Sequence, residues 1–227
     1  EDQARSEIVR VGRSLFERGY VHATAGNISV RLADGFLITP TDACLGTLVP
    51  ERLARLDLQG HQTGGDRASK TIALHRRIYE TSSGAATPAT HHARCVIHTH
   101  STHLVACSLR AAPDQAELLP PITPYFVMKV GHVPHIRYHR PGAPEAAEDV
   151  ARAMTQHAQA GHPIRAVMLA RLGPNVWHDT PAAAMAVLEE LEETAKLWML
   201  APMPHASLAP LTEAQIDELR RSFNASW

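Results

Sequence analysis

Apolar positions along the chain follow two periods, and the switch between them sketches the fold. Ile8, Val11 and Leu15, with Val9 and Phe16 beside them, recur at helical spacing and predict an amphipathic helix from Ser6 to Tyr20. Gly19 can end it. Ile28, Val30 and Leu32 then alternate with Ser29 and Arg31, the period of a half-buried strand. Asp34-Gly35 turns the chain into a second strand, Phe36-Leu37-Ile38. Leu53, Leu56 and Leu58 predict a further strand or short helix, and Gln59-Gly60 and Thr63-Gly64-Gly65-Asp66 read as loops. Ser69 can cap a helix to Tyr79, with Leu74 and Ile78 on one face.

Cys95 to His98 reads as a short buried strand and His103 to Leu109 as a short helix leaving it. Proline is too dense from Pro113 to Pro124 for regular structure, and Val127 to Val133 reads as a strand. Pro144 opens a helix to Gln156, Ile164 to Ala170 is an apolar strand, Leu172-Gly173-Pro174 a turn, and Val176-Trp177 a short strand. Thr180-Pro181 starts the best helix, to about Leu200, with Met185, Leu188 and Leu191 on one face. Thr212 and Gln215 form a capping box for a terminal helix. No repeat or long linker divides the pattern. It predicts one α/β domain over residues 1–227 with a mixed, largely antiparallel central sheet flanked by helices.

Composition narrows the class. The 227 residues carry a net charge of −1 with basic residues dispersed, so no pull toward nucleic acid or an anionic membrane is expected. No apolar run approaches the roughly 20 residues that span a bilayer. The start lacks a basic and apolar leader pattern. Cys44, Cys95 and Cys107 are odd in number and form no CxxC, which suggests reduced cysteines in a soluble cytoplasmic protein.

Candidate chemistry centres on Val96-Ile97-His98-Thr99-His100. In an extended chain His98 and His100 share a face and could present two imidazoles to one ion of the zinc, iron, nickel or copper type. With 15 histidines in the chain, a chance pair is the alternative.

Further fragments fall in order around that pair: Thr24-Ala25-Gly26-Asn27-Ile28-Ser29, Leu37-Ile38-Thr39-Pro40-Thr41, Ser69-Lys70, Gly173-Pro174 and the helix Glu189 to Lys196. Together they resemble the class II aldolase/adducin family across nearly the whole chain. Leu118 to Tyr125 and Tyr138-His139-Arg140-Pro141-Gly142 favour its branch of 3-oxo-tetronate 4-phosphate decarboxylases. The resemblance implies a three-layer fold, a cyclic homotetramer, a small phosphorylated sugar-acid substrate and a divalent metal, usually zinc, held by three histidines. Its first two ligands fall on His98 and His100. The family's acidic position after Ser69-Lys70 is Thr71 here, and the third histidine position is Leu172. Gly26, Asn27, Thr41, Ser69 and Lys70 match phosphate-contacting positions and have suitable donors, although each also suits a turn, a loop or a cap. Asp42 would oppose a phosphate if it pointed inward. Tyr125 falls where a neighbouring subunit's tyrosine donates a proton, or packs at an interface.

A threonine cannot replace a carboxylate base, so Thr71 damages an aldolase reading more than a decarboxylase one, in which carbon dioxide loss itself leaves the electron pair. Arg171, beside Leu172, brings a planar cation suited to a carboxylate or phosphate. His91, His92, His103, His132, His135 and His178 are substitute ligands by composition alone. Two expectations follow: a metal-dependent carbon–carbon lyase, or a family member that binds a phosphorylated ligand without turnover.

Overall fold

Strands with apolar side chains on both faces need cover on both sides, and that requirement organises this chain. The computed structural model describes residues 1–112, 114–201 and 209–227. Pro113, where the proline-dense stretch begins, lies outside them. The strands are β1 (Asn27–Leu32), β2 (Gly35–Ile38), β3 (Ala54–Leu56), β4 (Gln62–Gly64), β5 (Cys95–His98), β6 (His135–Ile136), β7 (Ala166–Leu169) and β8 (Gly173–His178). They form one mixed sheet in the order β4-β3-β2-β1-β5-β8-β7-β6, antiparallel except where β6 meets β7.

The helices are α1 (Asp2–Glu17), α2 (Ile72–Ser82), α3 (Thr102–Arg110), α4 (Pro144–Gln159), α5 (Pro181–Leu200) and α6 (Glu213–Phe223). One face of the sheet, with Ile28, Val30, Ile97 and Val176, packs on Ile8, Val11 and Leu15 of α1 and on Leu188 and Leu191 of α5. The other face, with Val96, Val167 and Trp177, packs on Ile78 and Tyr79 of α2 and on Val150 and Met154 of α4. Ser29, expected on an exposed face, is therefore fully buried and hydrogen-bonded to His75 Nδ1 (2.7 Å) and the Tyr79 hydroxyl (2.6 Å). Among the described residues no helix is long and apolar enough to cross a membrane.

Several expectations shift. The 127–133 segment is not a strand: Phe126–Val130 forms a π-helical turn, with Phe126, Val127 and Val130 buried at helical spacing and the Thr123 hydroxyl accepting from the Phe126 N–H. Ser69 does not cap α2. Thr71 is the N-cap, neither side chain bonds the helix, and the Ser69 and Thr71 hydroxyls instead bond each other at 2.8 Å. Gly173 and Pro174 belong to β8 rather than to the preceding turn, because they pair with Leu169 and Met168. β4 overlaps an expected loop and β6 forms where no element is expected, since their pairing with β3 and β7 is decided by the sheet rather than by their own pattern. α5 and α6 begin as expected, with Thr180 and Thr212 caps and the Thr212–Gln215 box in place.

Candidate active site

Sheet register assembles the centre of the site. Asn27 of β1 pairs with His98 of β5, which pairs with Asn175 of β8, so the three stand in one row. Their side chains share the face covered by α2 and α4. All three are buried. Asn27 Oδ1 and both amide atoms of Asn175 have no hydrogen-bond partner. Buried amide groups left open cost about 1–3 kcal/mol each and are normally satisfied by a ligand, ion or water.

Two glycines let neighbouring loops close on the histidine strand. Gly26, at φ +85°, lies where a Cβ would sit 2.8 Å from the His98 carbonyl oxygen. At Gly173, with φ +150°, a Cβ would lie 1.9 Å from the Thr99 carbonyl oxygen. Ala23, Asp42 and Arg171 also adopt left-handed φ without being glycine. Each lies in or beside a segment lining the cavity, and such strain concentrates where function demands a particular backbone.

The row opens into a cavity of about 310 Å³. Gly26, Asn27, Thr41, Ser69, Lys70, Thr71, His98 and His100 all line it, with Leu172 and Asp42. Tyr125 does not: it is 62% exposed at the start of the π-helical turn. The opposing cations are Lys70, Arg137 and Arg140, against Asp42 as the one lining acid among the described residues. Arg137 donates to Asp149 (2.8 Å), which also accepts from His139 Nε2 (2.9 Å). Burial raises the Asp149 carboxyl, but the donors from His139 and Arg137 outweigh it and hold the pKa low. The N-termini of α2 and α4 reach the cavity through Thr71, Ala73, Ala143 and Pro144, and neither has a side-chain cap. α3 contrasts with them. Its N–H groups at His103 and Leu104 donate to the buried Glu192 carboxylate at 2.9 and 3.0 Å, so its end is already satisfied.

His98 Nδ1 lies 2.8 Å from the Pro174 carbonyl oxygen. A carbonyl only accepts, so Nδ1 carries the proton and Nε2 keeps its lone pair. Burial, and then the neighbouring His100, lowers the His98 pKa to about 4. Burial, and then His22, lowers that of His100. The two rings meet edge to face with centroids 5.0 Å apart. Both are neutral near pH 7, the form a metal requires. The donor chemistry thus fits a divalent ion held by two histidines beside open amides. Among the described residues no third His, Cys, Asp or Glu joins them in a set whose ligand atoms all lie within 4.8 Å of one another.

The composition-only candidates sit elsewhere. His103 bonds Glu192 (2.8 Å), His178 bonds Asp179, His135 approaches Ser108 (3.4 Å) and His91 approaches Ser226 (3.1 Å). His132 joins Glu117 and His157, away from the cavity. Asn175, Arg137, His139 and Arg140 were not assigned from sequence. The last two stand in the quoted Tyr138 to Gly142 segment, whereas only strand pairing reveals Asn175.

The geometry agrees with what known proteins show. The Class II Aldolase and Adducin N-terminal domain family matches residues 6–199. A 3-oxo-tetronate 4-phosphate decarboxylase of Cupriavidus necator is 49% identical, covering 100% of this chain and 99% of its own length. Its Escherichia coli counterpart is 37% identical over 97% and 96%. The crystal structure of YgbL from Escherichia coli superposes with a TM-score of 0.82 at 36% identity, covering 96% of this chain and 98% of that one. An L-fuculose 1-phosphate aldolase shares the fold, with a TM-score of 0.80 at 22% identity over 99% and 97% of the two chains. The chain belongs to the class II aldolase/adducin family, whose members generally depend on a divalent metal. Its relatives support a carbon–carbon lyase.

Proposed function

We propose that this chain is a metal-dependent lyase that decarboxylates a 3-oxo-tetronate 4-phosphate to a ketotriose phosphate. The observation that carries the reading is electrostatic. Lys70, Arg140 and the Asp149-paired Arg137, with two uncapped helix N-termini, meet Asp42 as the single lining acid among the described residues, in a chain whose net charge is −1. That excess suits a substrate with a phosphate at one end and a carboxylate at the other. Lys70, the Thr41 and Ser69 hydroxyls, the Gly26-Asn27 turn and the start of α2 hold the phosphate. Arg140 and the start of α4 orient the carboxylate end, with Arg137 braced by Asp149.

His98 and His100 would hold the ion, for which zinc is the choice proposed. Such an ion, when bound, supplies Lewis acidity at a keto oxygen. Breaking the C1–C2 bond leaves its electron pair on C2, conjugated with the C3 carbonyl, and one proton must then reach C2. No base is needed to start the reaction, so Thr71 is tolerated where an aldolase needs a carboxylate. The Thr71 hydroxyl, hydrogen-bonded to that of Ser69, adds a polar group to the cavity wall. In a homotetramer, Tyr125 of one copy delivers the proton to the cavity of the next. Its exposure in the single chain suits that role. Free Cys44, Cys95 and Cys107 suit a reducing, cytoplasmic setting.

A second reading rests on Leu172, Thr71 and the missing third ligand atom: a family member that binds the phosphorylated acid without turning it over. Tag-free protein incubated with a 3-oxo-tetronate 4-phosphate and zinc, manganese or cobalt separates the two. Carbon dioxide released above the spontaneous rate, with one ketotriose phosphate per molecule and loss of both on chelation, is expected of the lyase. No release with any ion, while the ligand still raises the melting midpoint, overturns the lyase in favour of the binder.

A further inference from the structure

Outside the cavity, three segments distant in sequence converge on one point. Glu117 precedes the π-helical turn, His132 follows it, and His157 lies in the last turn of α4. The Val133 N–H donates to Glu117 Oε2 at 2.8 Å, which turns Oε1 toward both histidines. Oε1 lies 3.4 Å from His132 Nδ1 and 3.6 Å from His157 Nε2. His132 Nδ1 is nevertheless buried and has no hydrogen-bond partner. The three ligand atoms lie within 4.8 Å of one another, and none of these residues lines the cavity.

We propose that Glu117, His132 and His157 form a second, structural site for a divalent ion of the zinc class. A tetrahedral zinc ion with bonds of about 2.0–2.2 Å places its ligand atoms roughly 3.3–3.6 Å apart, a range that includes both Glu117 contacts. Two imidazoles and one carboxylate are a complete protein set for such an ion, with the fourth position left to water. The site is preorganised. Trp227 stacks on the His132 ring at 4.3 Å, and His162 meets it edge-on at 5.7 Å. Burial, against the opposing pull of Glu117, lowers the His157 pKa and favours its neutral ligand form. The ion would tie the π-turn flanks to the end of α4, and Trp227 would report its arrival.

The test uses tag-free full-length protein in which His98→Ala and His100→Ala remove the cavity pair, titrated with zinc by calorimetry and with cobalt by absorption and tryptophan quenching. The expected result is one ion per chain, a zinc-dependent rise in the melting midpoint of about 5–10 °C at saturation, and quenching that Trp227→Phe diminishes. Adding the isosteric Glu117→Gln, or His157→Ala, should weaken binding at least roughly 100-fold, since loss even of an outer-sphere partner costs about 10–100-fold. No ion bound up to millimolar zinc, or binding unchanged by Glu117→Gln and His157→Ala, overturns the proposal. If the cavity variant fails to fold, the same two changes are made in the unaltered chain. Each should lower the zinc stoichiometry by one ion, and an unchanged stoichiometry overturns the site.

Discussion

Two regions of this molecule gather histidines, and they are built on opposite electrostatic plans. His98 and His100 face a cavity whose lining carries, among the described residues, Lys70, Arg140 and the Asp149-paired Arg137 against Asp42, beside two open helix N-termini and the unsatisfied amides of Asn27 and Asn175. His132 and His157 face a carboxylate, and a tryptophan ring covers one of them. The second region already offsets part of an ion's charge with its carboxylate, and its three residues lie apart from the lining of the cavity. The first leaves the balance incomplete, so an anionic molecule must complete it. The comparison teaches that ligand type alone does not distinguish a reactive centre from a structural clamp. The charge and space around the ligands do.

The largest expected effect comes from stripping the cavity of its cations. Lys70→Met with Arg140→Met should lower kcat/KM for a 3-oxo-tetronate 4-phosphate by about 10³-fold. Zinc binding at Glu117, measured by calorimetry, should persist in the same variant. Acidification probes the buried imidazoles. The His98 pKa falls from about 6.5 unfolded to about 4 folded, so the unfolded chain binds more protons between those values. The stabilising effect of neutral His98 is complete above pH 6.5 and is lost as the pH falls toward 4, by about 3 kcal/mol. His75, lowered by burial to about 3, adds to the trend. Urea unfolding between pH 7 and pH 4 checks it, and a stability independent of pH across that window refutes the burial of neutral imidazoles.

Gly173→Ala tests the backbone that carries the pair. The added Cβ would collide with the Thr99 carbonyl, so a loss of about 1–3 kcal/mol in denaturant unfolding is expected, with weaker zinc binding at the cavity and not at Glu117. The smallest effect is a gain. Leu172→His gives the cavity a third imidazole, like the complete set of the outer site, and should tighten zinc there by about tenfold in a competition titration against a chromophoric chelator.

Much of this was legible where the causes are local. The Thr180-Pro181 start of α5 and the Thr212–Gln215 box depend on residues within one turn, and the structure places them as read. The pairing of His98 with His100 follows from neighbours on one extended chain, and both line one cavity. What failed depends on partners far away in sequence. His135–Ile136 is a strand only because β7 offers an edge, and Phe126–Val130 coils although the Val127 to Val133 segment suggests extension. Asn175 enters the site through strand register, and Glu117 meets His157 through the packing of α4, so neither leaves a mark in its own segment. Ser29 was misjudged for the same reason, because helices cover both faces of the sheet.

The most direct test follows labelled carbon dioxide from a C1-labelled 3-oxo-tetronate 4-phosphate as metal-free protein is titrated with zinc, in the unaltered chain and with His98→Ala and His100→Ala. The unaltered chain should gain activity as the ion binds, and the altered chain should remain at the spontaneous rate. Equal release from both proteins, or none from the unaltered chain at saturating zinc, would contradict the assignment of the chemistry to this cavity.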